Sequence, residues 1–259
     1  MNKPNTEIKR WGIVVIQSLY PNDVKTGEIL YHDVLQYKEY HKRESFSSFY
    51  DVNSSKEFRL AVQGIEESIL EGDILTLQIE THGSDEGIGF NNGEILKWKD
   101  FYNIIRPLNI KTGHLLFVVM AMCKSIAMIS AINPEERAPY RAFICTTRNV
   151  TSDEICRGFL AFYDKYFNLL DISQALAGLQ NEVKDDNGYS PFQALSAESV
   201  FDETFNPNRN ISSLVDNQLK QLNIPITDST KSIMSYYIQQ LLENLHNRFC
   251  NYYNFKDLY

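Results

Sequence analysis

The sequence predicts an α/β protein: a mainly parallel sheet with helices on both faces, followed by a C-terminal helical extension. Three observations carry that expectation. Residues 74–81 and 140–147 are strand candidates, and residues 11–19 and 115–122 are short, nearly continuous apolar runs rich in β-branched and other large apolar side chains. They lack the alternation of half-exposed strands, as strands covered on both faces do. Segments with apolar residues at helical spacing separate them, the order that builds parallel sheets. The chain is 259 residues long, and its 43% hydrophobic content with 15 Phe and 15 Tyr is enough for a sizeable core and excludes a disordered chain.

The first strand candidate, Trp11-Gly-Ile-Val-Val-Ile-Gln-Ser-Leu19, is stopped by Pro21-Asn-Asp23. A short helix is expected over 26–36, where Leu30 faces Val34 and Tyr31 faces Leu35, then a weaker strand over 46–52. Ser54-Ser-Lys-Glu57 is a capping box, and Phe58, Ala61, Val62, Ile65 and Ile69 follow at helical spacing until Gly72-Asp73. After the strand at 74–81, Asn92-Gly93 marks a hairpin turn between 88–90 and 94–96. A helix over 99–106 should stop at Pro107. The strand at 115–122 leads into a helix from Lys124 to Ala131, and the strand at 140–147 into a long helix from Ser152 through Leu176.

Residues 181–191 (Asn-Glu-Val-Lys-Asp-Asp-Asn closed by Gly188-Tyr-Ser-Pro191) read as a linker, so the expected organisation is a main domain over 1–180, a linker over 181–192 and a helical extension over 193–259 packed on the core. The last helix is expected to start with Asp228 as its cap. Its broad apolar face (Ile233, Tyr237, Leu241, Leu242, Leu245, Phe249) is expected to be core, with a partner helix as the alternative.

A net charge of -8 argues against a protein that coats phosphate backbones. Cys123, Cys145, Cys156 and Cys250 have neither paired nor metal-ligand spacing, so no disulfide framework, metal or cofactor is expected. Residues 1–10 are polar, contain Pro4 and lack a signal-peptide core. The apolar stretch 115–132 carries Lys124 and Ser125 at its middle, and a central Lys costs roughly 3 kcal/mol in a membrane. It reads as a buried strand running into a helix, and a cytoplasmic protein without membrane attachment is expected.

Ligands and catalytic groups collect at the carboxyl ends of parallel strands. Two such ends stand out: Glu80-Thr-His82-Gly83-Ser and Met120-Ala-Met-Cys123-Lys-Ser125. A strand–helix–strand crossover makes their strands neighbours or near neighbours, so His82 and Cys123 are expected to face each other. A free thiol is only a few per cent thiolate at neutral pH and gains from an imidazole partner. A helix opening at Lys124 would add its dipole, worth about 0.3–1 kcal/mol, too little to activate a thiol alone. The Gly83 and Cys123 amides are candidate oxyanion donors. Each residue alone has a blander reading, since a lone Cys at a strand end is usually a small buried hydrophobe and a lone His before Gly a turn residue. Cys145, Cys156 and Cys250 read as structural. His32, His41, His114 and His246 have no catalytic constellation, and Asp85-Glu86 reads as a solvated turn.

A strand ending in His-Gly, followed by one ending in a Cys and a small residue, resembles the caspase-like (clan CD) cysteine peptidases over residues 8–180. Phe49-Tyr-Asp-Val-Asn-Ser54 and Phe162-Tyr163 make the chain most similar to the prokaryotic caspase-like and CHAT-type peptidases. The resemblance implies a cysteine endopeptidase with a Cys123–His82 dyad and a substrate strand at 140–147 that accepts an extended peptide by strand addition. It also implies substrate contacts from Thr146, Thr147, Arg148, Asn149 and Asp153, a protein substrate, a possible activating protein partner, and a regulated pathway such as prokaryotic antiviral defence. The chain departs from the caspase pattern at Ala121-Met122-Cys123-Lys124-Ser125, where the P1-reading side chain before the nucleophile is missing. P1 preference is therefore expected from loops 21–25 and 146–154, with Arg148 for an acidic residue or Asp153 or Glu154 for a basic one. The competing reading is a silent caspase-like module that docks a sensor or effector.

Overall fold

The structure, a computed structural model, describes residues 10–38, 45–169 and 171–258. The expectation for the N-terminal residues before Arg10, and that for His41, lie outside the described residues. Two compact units make up the chain: residues 1–132 with 138–196, and residues 133–137 with 197–259.

The larger unit is an eight-stranded α/β sheet. Its main path runs β2 (Ser45–Asp51), β1 (Trp11–Ser18), β3 (Ile74–Gly83), β6 (Leu116–Met120), β7 (Ala142–Thr146), β8 (Phe192–Ser196). All neighbours are parallel except β7 and β8. The short strands β4 (Gly87–Gly89) and β5 (Ile95–Lys97) form the hairpin expected at Asn92-Gly93, and Gly93 holds the positive φ of 88° that such a turn needs.

The continuous apolar runs are explained by burial on both faces. Along β1, Ile13 and Val15 enter one layer and Val14 and Ile16 the other, and all four are buried. The first layer joins Val119 and Ile144 to Phe159, Phe162 and Tyr163 of α5 (Ser152–Leu169) and to Leu179 of α6 (Ile172–Glu182). The second holds Phe58 of α3 (Ser55–Ser68) against Phe90 and against Phe101 of α4 (Trp98–Lys111), at ring-centroid distances of 5.9 and 6.0 Å. Ser54 caps α3 as its sequence pattern foretells, accepting from the Glu57 amide.

Several boundaries move. The segment after β1 folds as α1 (Thr26–Leu30), a π-helical turn over Tyr31–Leu35 and α2 (Gln36–Lys38), rather than one uniform helix. Pro107 lies inside α4, which continues to Lys111. Expected as one helix, 152–176 breaks where Asp171 accepts from the Ser173 and Gln174 amides and starts α6 anew. The largest correction concerns the linker. Only 183–191 lacks regular structure, and the next five residues form β8, so the sheet unit ends at Ser196 rather than at 180. Its pattern, Phe192-Gln-Ala-Leu-Ser196, is too short and mixed to show strand period by itself.

In the smaller unit, α7 (Ala197–Phe205), α8 (Ser212–Gln221) and α9 (Asp228–Tyr253) follow in order. Thr227, not Asp228, caps α9, in a reciprocal capping box with Thr230. Arg137 forks onto the Asp257 carboxylate at 2.5 and 2.8 Å and lies over the Tyr252 and Phe255 rings. Leu242 is buried, but Ile233, Tyr237 and Leu241 are more than half exposed, so the stripe expected as core is only partly so. No described helix is long and apolar enough to cross a membrane, and the apolar stretch 115–132 is indeed β6 followed by a 3₁₀ helix, Ser125–Ala131.

Candidate functional site

The carboxyl ends of β1, β3 and β6 deliver three polar side chains to one crevice, as parallel sheets do. β3 outruns its parallel neighbours. Its last residues turn to the hairpin instead, with His82 opposite Gly89 and Gly83 opposite Ile88. That pairing fixes the backbone beneath the imidazole. Beyond β1, Tyr20-Pro-Asn-Asp23 makes a turn closed by the Asp23 amide on the Tyr20 carbonyl at 2.9 Å. Pro at its second position presets the required φ. The Tyr20 amide returns a 2.8 Å hydrogen bond to Asp23 Oδ2, and Lys25 Nζ donates to the Leu19 and Tyr20 carbonyls.

This turn holds Asp23 Oδ2 2.9 Å from His82 Nε2, and the Tyr20 ring stacks on the imidazole at 4.6 Å. Partial desolvation pushes the Asp23 carboxyl up. The hydrogen bonds from His82 and the Tyr20 amide, with the charges of His82 and Lys25, outweigh it and hold the group below the ordinary aspartate value. Asp23 is therefore a carboxylate at neutral pH. Its contact selects the tautomer with the proton on Nε2, which leaves Nδ1 as the basic nitrogen.

After β6 the chain turns sharply through Cys123 and Lys124, the latter left-handed at φ 50°. Buried bonds pin the turn. Thr146 Oγ1 donates to the Met122 carbonyl at 2.5 Å, and the Thr146 amide donates to Ser125 Oγ at 2.8 Å. The Lys124 amide reaches the Arg148 carbonyl at 3.2 Å. Gly83 packs so closely here that a Cβ at its position would stand 2.1 Å from the Cys123 carbonyl oxygen. Only glycine lets the two strand ends approach in this way. Cys123 is partly buried, and its Sγ accepts from the Val150 amide at 3.4 Å.

His82, Gly83, Cys123 and Asp23 all line one cleft of about 110 Å³, completed by Val150 and Ser152 among others. The expected meeting of His82, Gly83 and Cys123 at one groove is thus present. The short 3₁₀ helix begins at Ser125, so the dipole expected from an α-helix opening at Lys124 is not part of the site.

The expected substrate residues fare differently. None of Thr146, Thr147, Arg148, Asn149 and Asp153 lines the cleft. Thr146 is fully buried and holds the Cys123 turn. Thr147 donates from its amide to the Pro191 carbonyl at 2.9 Å. Arg148 forks onto Glu154 at 2.7 and 3.2 Å, which raises the guanidinium pKa and lowers that of the carboxyl. Asn149 is exposed, with its carbonyl taken by Arg148, and Asp153 pairs with Arg157 at 2.8 Å. Of the charges expected to read P1, Arg148 and Glu154 thus neutralise each other and Asp153 is taken by Arg157. Strand addition at β7 is also overturned, because β6 and β8 occupy its two edges.

Sequence reasoning does not single out Asp23 as the orienting group, although its Pro-Asn-Asp turn after an apolar strand is legible. The nearer acid by sequence, Asp85, instead lies 3.7 Å from Lys124. Compared with protein-family models and with curated proteins, the chain matches none.

Proposed function

We propose that the cleft hydrolyses peptide bonds of a protein substrate by thiol catalysis, in the manner of the caspase-like peptidases that the His82-Gly83 and Cys123 motifs resemble. The observation that carries this reading is an imidazole gripped by Asp23 and Tyr20 that opens on the same cleft as a thiol whose backbone is pinned. An unused histidine at a strand end needs neither clamp.

Cys123 Sγ attacks the scissile carbonyl carbon as its proton passes to His82 Nδ1. The oxygen that gains charge faces the amides of Gly83 and Cys123, two residues that line the cleft. His82 then gives its proton to the departing amine, and the C–N bond breaks to leave a thioester. Water, deprotonated by the same imidazole, adds to the thioester, and the acid product leaves with the thiol restored. Asp23 keeps the proton on Nε2 and stabilises the imidazolium at each transfer, a role that does not require it to be protonated. Acid–base help of this kind contributes about a hundred- to ten-thousandfold.

Because both edges of β7 are occupied, the substrate enters beside loop 147–151, whose Val150 borders the cleft. A regulated role in the cytoplasm, such as prokaryotic defence with an activating protein partner, is the setting that the resemblance favours.

The test uses a thiol-reactive peptide probe and a peptide library with wild type, Cys123→Ala and His82→Ala. Labelling confined to Cys123, with cleavage lost in both variants, is expected. Labelling that survives Cys123→Ala, or no cleavage of any peptide, would leave a silent binding module.

A further inference from the structure

In the smaller unit three side chains of different donor type converge. His246 and Cys250 lie one turn apart on α9, the i, i+4 spacing that puts both on one face. Asp202 of α7, 44 residues before His246, meets them: its Oδ1 lies 3.2 Å from His246 Nε2. One ligand atom from each of the three falls within 4.8 Å of the others. Cys spacing alone gives no hint of this group, since Asp and His supply two of its three members.

The donor set discriminates among ions. Calcium and magnesium take oxygen ligands almost exclusively, whereas thiolate, imidazole and carboxylate together suit a borderline ion such as Zn²⁺. The spacing fits as well. With bonds of about 2.0–2.3 Å in a tetrahedron, neighbouring ligand atoms lie roughly 3.2–3.6 Å apart. The Asp202–His246 separation already equals one such edge, and the sulfur needs to close by about 1 Å, within the reach of small side-chain rotations. Supporting contacts are in place. Asn254 Nδ2 donates to Cys250 Sγ at 3.7 Å, and the Phe201 ring lies 5.8 Å from the imidazole.

We propose that Asp202, His246 and Cys250 bind one divalent ion of the zinc class, with a fourth position open to water, and so clip α7 to α9. On binding, the Cys250 thiol releases its proton to solvent and the thiolate bonds the metal. His246 binds through Nε2 as the neutral ring with its proton on Nδ1, and its contact with Asp202 passes to the ion. A helical unit of this size gains from such a staple.

The experiment uses the full chain carrying Cys123→Ala, which removes the cleft thiol, titrated with Co²⁺ under anaerobic conditions and then with Zn²⁺. Expected are one Co²⁺ per chain, a near-ultraviolet sulfur-to-cobalt charge-transfer band, and its displacement by Zn²⁺. Cys250→Ser should abolish the band, and His246→Ala and Asp202→Asn should each weaken binding by more than about tenfold. Zn²⁺ should raise the melting temperature of the parent and not of the variants. Asp202→Asn, at an exposed position, guards against a mere folding defect. No band in the parent, a band that survives Cys250→Ser, or equal affinity in all variants would overturn the proposal.

Discussion

His82 Nε2 and Asp23 Oδ2, 59 residues apart in sequence, meet at 2.9 Å, and both groups remain partly exposed at 46% and 33%. The pair lies at the cleft mouth rather than in the core, so its value is orientation rather than stability. A solvated ion pair contributes little to folding, usually below about 1 kcal/mol.

Asp23→Asn should accordingly leave the fold intact and lower the rate of peptide cleavage. Asparagine can keep the turn bond from the Tyr20 amide, but it cannot stabilise the imidazolium and it permits the wrong tautomer. A fall in kcat/KM of about ten- to a thousandfold is expected, with a melting temperature close to wild type. Equal activity in the variant would remove Asp23 from the mechanism.

Gly83→Ala puts a methyl group where the Cys123 carbonyl stands, 2.1 Å away and on backbone that cannot rotate aside. The Cys123 turn must shift or β3 must bend. A loss of about 1–3 kcal/mol in unfolding free energy, as for other overpacked sites, and slower alkylation of Cys123 are expected. Denaturant titration together with timed labelling reads both. Unchanged labelling would mean that the close approach does not set the position of the thiol.

Thr146 offers a complementary test, because it holds the same turn from the other side. Thr146→Val keeps shape and removes the hydroxyl that serves the Met122 carbonyl and Ser125. Leaving a buried carbonyl without its donor costs about 1–3 kcal/mol. Circular dichroism melting should show that loss, and cleavage should fall further than in a surface control such as Thr147→Val. A wild-type melting curve would show that the other bonds suffice to hold the turn.

These residues show where sequence legibility ends. His82, Gly83 and Cys123 were readable because each closes an apolar run, and parallel topology sends such ends to a common edge. Asp23 needed a distance, since only the Tyr20–Asp23 turn decides whether an acid after β1 reaches the next strand's histidine. Thr146 and Arg148 misled for a related reason: a polar side chain near a site looks free until its partner is known, and here Met122 and Glu154 are those partners. β8 was hidden because an edge strand of five residues takes its identity from pairing with β7, a non-local contact that local pattern does not encode. The break between α5 and α6 was written in Asp171, a good cap, but the apolar spacing on either side masked it.

Glu80 yields the sharpest prediction about pH. It is fully buried two residues before His82, accepting from Gln78 Nε2 at 2.6 Å and from Thr26 Oγ1 at 2.7 Å. Desolvation outweighs both bonds and pushes its carboxyl up to about 7. Below an unfolded-state value near 4.5, both states hold the proton and the group has no effect on the pH slope. Between there and about 7 the folded chain keeps a proton that the unfolded chain has released, so stability falls as pH rises through this window. Above it both states are ionised and the full penalty stands, on the order of 3 kcal/mol. Glu80→Gln stays neutral and retains partners for both side-chain atoms. Its unfolding free energy should be flat where that of wild type declines, and higher than wild type at pH 8 by up to about 3 kcal/mol. Acid unfolding below pH 4, which reflects lowered carboxyls such as Asp23, Glu154 and Asp257, should be shared by both proteins. Urea midpoints at pH 5 and pH 8 decide the matter, and parallel curves for the two proteins would show that Glu80 ionises in the folded chain as readily as in water.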